Sequence, residues 1–126
     1  MSYTPFHIAM SVANVRVAHI RPKYHNLAAW MQDANNVYVG RRGVVMINSK
    51  RFPERDSLWA NPFRVGKDGT RDRVIAMYEV YIVAKIAEQG LEEELEALRG
   101  KTLGCWCAPE PCHAEILLRL IDEQNK

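Results

Sequence analysis

The order of strand-like and helix-like segments predicts a single α/β domain, a sandwich in which helices flank a small, mostly parallel sheet. Three observations carry this prediction. Stretches rich in β-branched residues come early in the chain, the segment from Thr70 to Gly90 repeats apolar residues at helical spacing, and one late strand-like stretch lies between two helical ones. With 126 residues, 48% of them hydrophobic, the chain can build one core and not two, so residues 1–126 are read as one domain.

After a loosely patterned start, Val15-Arg16-Val17-Ala18-His19-Ile20 alternates apolar and polar positions, which predicts a first strand stopped by Arg21-Pro22. Asn26 to Asp33 suits a short helix. Asn35-Asn36 then turns the chain into a strand from Val37 to Arg41, and Gly43 to Asn48 has the β-branched content of another. Residues 49–69 hold Pro53, Pro62, Gly66, Gly69 and many charges, which predicts an irregular loop longer than a connection needs. Thr70 is a good N-cap for a helix carrying Val74, Met77, Tyr78, Tyr81, Ile82 and Ile86 on one side, and Gly90 can close it in a left-handed cap. Leu91, Leu95 and Leu98 line a short acidic helix ended by Gly100. Lys101 to Cys107 follows as a strand, and Ile116, Leu117, Leu120 and Ile121 form the stripe of a last helix.

Composition narrows the functional classes. No apolar run approaches the roughly 20 residues of a membrane-spanning helix, and Met1 to Phe6 lacks a basic stretch followed by an apolar one, so the expectation is a cytoplasmic protein without a membrane partner. Three cysteines, two of them separated by one residue, do not form the framework of a secreted disulfide domain; reduced thiols or a metal site fit better. Residues 1–73 carry twelve Lys or Arg against five acids, whereas the remainder carries five against ten. Such a basic front half suits a phosphate-bearing ligand, and equally suits scattered surface charge.

All three cysteines fall in Gly104-Cys105-Trp106-Cys107-Ala108-Pro109-Glu110-Pro111-Cys112-His113, at a strand-to-helix turn. Strand alternation puts Cys105 and Cys107 on one side and Trp106 on the other. Pro109 and Pro111 stiffen the turn, and Pro111 at the first helical position would place Cys112 and His113 in the first turn, where the helix dipole favours an anion or a thiolate. Three readings stand: a zinc site made of Cys105, Cys107, Cys112 and His113; a reactive Cys112 or Cys105 with His113 as proton-transfer group; or buried sulfurs that only pack. The adjacency of Cys112 and His113 counts against zinc, because neighbouring residues seldom reach one ion. Glu110 and Glu115 flank the loop as candidate acids or bases.

Two upstream stretches also carry candidate chemistry. Tyr38-Val39-Gly40-Arg41 sets an aromatic ring and a guanidinium at a strand end, with Gly40 allowing close approach to a ligand. Trp59, Asn61 and Phe63 stand in a loop otherwise made of charge. Aromatic faces beside amide and arginine groups suit a nucleobase with its phosphate; the alternative is that Trp59 and Phe63 anchor the loop and Asn61 starts a turn before Pro62. Tyr78 reads as core. His7, His19 and His25 read as structural or exposed.

Taken together, Tyr38 to Arg41, Trp59 to Phe63, Tyr78, Leu98 to Lys101 and Cys105 to His113 resemble the ordered signature of a family of small, uncharacterised α/β proteins of phages and bacteria, catalogued as a domain of unknown function. The resemblance covers residues 15–121 and implies that Arg41, Trp59, Asn61 and the cysteine loop converge on one pocket. A weaker similarity runs to another uncharacterised family without a counterpart of Cys107. The chain departs from the signature in extra residues between Arg41 and Trp59, including Val44 to Ile47, which would be an added hairpin or an interface. The resulting expectation is a binding pocket for a nucleotide or nucleic-acid phosphate: Arg41 holds the phosphate, Trp59 or Phe63 stacks, Asn61 hydrogen-bonds, and Cys112 with His113 supplies the anion site or reactive pair. Whether it is an enzyme stays open. The alternative is a zinc-stabilised interaction module without catalysis, such as a phage-type protein that binds a host factor.

Overall fold

The computed structural model describes residues 11–107 and 110–124. Their elements in chain order are β1 (Ser11–Asn14), α1 (Val17–Ile20), α2 (Leu27–Gln32), β2 (Asn36–Tyr38), β3 (Val45–Ile47), β4 (Lys50–Phe52), α3 (Arg71–Gln89), α4 (Glu92–Glu96), β5 (Thr102–Cys105) and α5 (His113–Glu123). Among the described residues, β1, β5 and β2 form a parallel sheet with β5 in the middle, and β3 pairs with β4 in an antiparallel hairpin. Ser11 and Asn36 both stand opposite Thr102. The α/β class and the mostly parallel sheet are as predicted.

The period of two in the central strands sorts the side chains into two cores. On one face Val39, Leu103 and Cys105 pack with Tyr78, Ile82, Leu117 and Ile121 from α3 and α5. On the other, Val15, Leu27, Trp30 and Tyr38 form a second cluster, with Trp106 and Phe52 against it. Gly104 faces this second cluster, where a Cβ would lie 2.4 Å from the Trp30 ring. The glycine lets the indole lie directly on the strand.

Three elements differ from the sequence reading. The first strand is Ser11–Asn14, and Val17–Ile20, expected to continue a strand, is one helical turn. Val15 N–H still donates to the Cys105 carbonyl (2.9 Å), but Asn14 Oδ1 then accepts from Arg16 N–H (3.0 Å) and turns the chain off the sheet. Second, part of the expected loop is the strand β4. Asn48 (φ 53°) and Ser49 (φ 66°) make the two-residue turn with left-handed dihedrals that a tight hairpin requires. The hairpin expected among the extra residues is therefore present; Gly43 N–H to the Pro53 carbonyl (2.8 Å) and Ser57 N–H to the Gly40 carbonyl (3.0 Å) pinch its base. Third, α5 begins two residues later than expected, with Cys112 as its N-cap and Pro111 outside the helix.

The most regular element is α3. Thr70 Oγ1 accepts from Arg73 N–H and Gly90 ends the helix at φ 65°, as the sequence predicts. Its buried Tyr78 donates a hydrogen bond to the Trp59 carbonyl (2.7 Å), tying the preceding loop to the helix. Tyr78→Phe strands that carbonyl inside the core, so it is expected to cost about 1–3 kcal/mol, seen as a lower urea midpoint at unchanged m-value.

Candidate functional site

The parallel strands β2 and β5 end side by side, and the N-termini of α3 and α5 meet them there. A cavity of about 110 Å³ opens at this junction, lined by Gly40 and Arg41 after β2, Asn61 and Phe63 from the loop, Arg71 and Ile75 of α3, and Cys105, Cys107, Cys112 and His113. Crevices beyond the carboxyl ends of parallel strands are common ligand sites in α/β folds, because helix termini and exposed loops converge there.

The strand end of β2 is locked from within. Val39 N–H extends the ladder to the Gly104 carbonyl (3.0 Å), and Tyr38 Oη donates to the Arg41 carbonyl (2.8 Å) while accepting from Trp106 Nε1 (3.1 Å). Burial pushes the Tyr38 phenol up, so it stays protonated and keeps its donor role. A Cβ on Gly40 would meet Tyr38 Oη at 2.5 Å, so this glycine makes room for the tyrosine rather than for close approach of a ligand. The turn leaves the Arg41 guanidinium half-buried, with one nitrogen, Nη1, buried and without a hydrogen-bond partner among the described residues. A cationic nitrogen in that condition is costly unless an anion meets it.

The opposite wall starts at α3. Arg71, absent from the sequence-based set, reaches across the cysteine loop: Nη2 pairs with Glu110 (3.1 Å), Nη1 donates to the Pro111 carbonyl (3.4 Å), and the guanidinium contacts Cys107. Its position directly after the Thr70 N-cap was the available signal, since a first-turn side chain projects toward whatever the helix terminus faces. Of the twelve basic residues in the front half, Arg41 and Arg71 line this cavity, so convergence of that charge is limited to two guanidinium groups.

As alternation predicts, Cys105 and Cys107 belong to the α3–α5 side and Trp106 to the other, where Arg16 lies over its ring. Cys105 and Cys112 are buried and Cys107 is half-buried. The thiols of Cys105 and Cys112 and the Arg71 guanidinium all approach the Cys107 sulfur and hold its pKa far below the usual thiol range. Cys112 is pushed the opposite way by those same sulfur contacts and by burial. The two directions are opposed: the neighbouring sulfurs and the Arg71 guanidinium favour a thiolate at the half-buried Cys107, while sulfur contacts and burial favour the protonated form of Cys112 at the helix terminus.

His113 is fixed by the strand beside it. Its Nε2 lies 2.7 Å from the Val39 carbonyl, which can only accept, so Nε2 carries the proton and Nδ1 turns its lone pair toward Cys112 Sγ (3.6 Å). Tyr78 packs edge-on against the ring at 4.8 Å. Burial depresses the pKa of His113, so the imidazole is neutral near pH 7. Protonation is then easier in the unfolded chain, whose histidine titrates near 6.5. Stability is expected to be fully present above that value and to fall as the pH drops below it, down to the lower folded-state pKa. Melting temperature measured from pH 7.5 to pH 5 checks this, and His113→Gln is expected to flatten the slope.

The remaining candidates divide. Phe63 is on the cavity wall, edge-on to Tyr81 at 6.0 Å. Trp59 is not: it is 4% exposed within the main core and serves as the loop anchor, so it cannot stack on a ligand without leaving the core. Asn61 is buried at the cavity edge, but Nδ2 donates to the Val74 carbonyl (3.3 Å) and Oδ1 accepts from Phe63 N–H (2.9 Å), so its amide first of all shapes the loop. Glu110 and Glu115 are exposed, as are His19 and His25; His7 and Pro109 lie outside the described residues. Among the described residues, no group of three or more His, Cys, Asp or Glu side chains is arranged to hold a metal ion, and no helix is long and apolar enough to cross a membrane.

Residues 23–123 match the model of a family described as Domain of unknown function (DUF4326). The chain is similar to an uncharacterised 12.4 kDa protein of Enterobacteria phage T4, from the nrdA-td intergenic region, with 36% identity over 74 residues, 57% of this chain and 67% of that protein. It is also similar to the uncharacterised protein R718 of Acanthamoeba polyphaga mimivirus, with 35% identity over 93 residues, 68% of this chain and 65% of that protein. The chain thus spans about two thirds of the length of these relatives. No solved structure matches it.

Proposed function

Since the chain belongs to the DUF4326 family, a kinship that leaves the chemistry open, we propose from the site itself that the protein binds the phosphate of a nucleotide or nucleic acid in the cavity between β2, β5, α3 and α5. The observation that carries this reading is the buried Nη1 of Arg41 at the cavity wall, which has no hydrogen-bond partner among the described residues. Planar guanidinium groups bind phosphate through paired hydrogen bonds, and Arg71 lines the same space. Phe63, Val65 and Ile75 add an apolar side to the cavity, which suits a base or sugar next to the anion.

Calorimetric titration of the purified chain with inorganic phosphate, a nucleoside 5′-monophosphate and a short oligonucleotide tests the proposal. Saturable binding that weakens with salt is expected for the first two, with the nucleotide tighter. Preference for the oligonucleotide with a steeper salt dependence would assign the pocket to a nucleic-acid backbone. No binding of any of the three sinks the reading.

A further inference from the structure

The three sulfurs differ in access and in hydrogen-bonding role. Cys105 and Cys112 are each 2% exposed, while Cys107 is half-buried on the cavity wall. Two thiols and the Arg71 guanidinium converge on the Cys107 sulfur. Arg71 can only donate, and a thiol has one hydrogen, so Cys107 is placed as the acceptor of this group. It follows β5 at the strand end, two residues beyond Cys105, on the cavity that Arg41 also lines.

We infer that Cys107 is a nucleophile that accepts the phosphoryl group of a phosphate monoester, a nucleoside monophosphate in the first instance, held in the cavity by Arg41 and Arg71. This rests on the phosphate-binding reading above. In the first step the Cys107 thiolate attacks phosphorus. An S–P bond forms, the P–O ester bond breaks, and the leaving oxygen keeps the electron pair and takes a proton from a water, which becomes hydroxide. In the second step hydroxide attacks phosphorus, the S–P bond breaks, and thiolate and hydrogen phosphate are restored; water is the only co-reactant. Arg41 and Arg71 offset the charge on the phosphoryl oxygens, which would otherwise repel the thiolate. Glu110 holds Arg71 from the solvent side, and the substrate competes with it for the guanidinium.

The test uses the full chain with p-nitrophenyl phosphate and a nucleoside 5′-monophosphate, reading phosphate release and, after rapid denaturing quench at neutral pH, the mass of the peptide containing Cys107. Turnover and an adduct of one HPO3 unit on Cys107 are expected. Cys107→Ser should lower turnover by at least about 1,000-fold and abolish the adduct while inorganic phosphate still binds. Turnover retained in Cys107→Ser overturns the inference, and so does phosphate binding without turnover or adduct in the native chain; the second result leaves the binding reading standing. Absence of both phosphate binding and turnover removes both. Should the serine variant not fold, iodoacetamide labelling of the native chain decides: Cys107 must react faster than Cys105 and Cys112 and be protected by phosphate, and equal labelling of the three overturns the assignment.

Discussion

Arg41→Ala is expected to lose roughly 100-fold or more in affinity for inorganic phosphate and nucleoside monophosphate while melting no lower than the native chain. The two effects share one cause. In the free protein Nη1 is buried without a partner among the described residues, so its removal relieves a desolvation cost, whereas in the proposed complex the same nitrogen carries a charge-assisted hydrogen bond. A purely structural arginine would behave in the opposite way, with stability falling and binding unmoved. Arg41→Lys separates charge from geometry: a single ammonium retains attraction but not the planar pair of donors, so partial recovery of affinity is expected. Titration calorimetry and thermal melting on the same preparations are enough to decide between these outcomes.

Gly104→Ala is expected to be among the most damaging single-methyl additions in the chain. Its Cβ would lie 2.4 Å from Trp30 Cη2 and 2.6 Å from Val15 Cγ1, both buried and held by their own packing. Neither neighbour is a flexible end that can swing aside. A cost of about 3 kcal/mol, and a fall in Tm on the order of 10 °C, is expected. Gly104→Ala combined with Trp30→Phe should cost less than the sum of the two single changes, because the smaller ring vacates part of the space; strict additivity would show that the methyl is accommodated elsewhere.

Local signals that act within one element were legible in the sequence. Thr70, Gly90 and the spacing from Val74 to Ile86 define α3 by capping and periodicity alone, and the alternation around Trp106 separates the two faces of β5 correctly. The first strand was misread because Val15 to Ile20 alternates convincingly, whereas its direction is decided by the Asn14 side chain bonding two residues ahead. The strand β4 was missed because Asn48-Ser49 lacks the glycine that advertises a tight hairpin. That Arg41, Phe63 and the cysteine loop share one cavity is legible from residue type and order. Burial depends on the whole fold and is not legible locally: it makes Trp59 an anchor away from the cavity and adds to the sulfur contacts that push the Cys112 thiol up. Arg71 escaped notice because only the docking of α3 beside the cysteine loop gives it meaning.

The central place of β5 also constrains how the chain acquires its shape in time. Among the described residues β1 and β2 pair with β5 alone, and Ser11 and Thr102 are 91 positions apart. No part of this sheet can zip until residues 102–105 have been made, so folding is expected to be slow and to follow the synthesis of β5. The strand that completes the sheet is the one that runs into Cys105, Trp106 and Cys107. Cys107 and the Arg71 guanidinium beside it are therefore brought onto one cavity wall in the same event that completes the sheet, and a chain that stops short of β5 carries no assembled cavity.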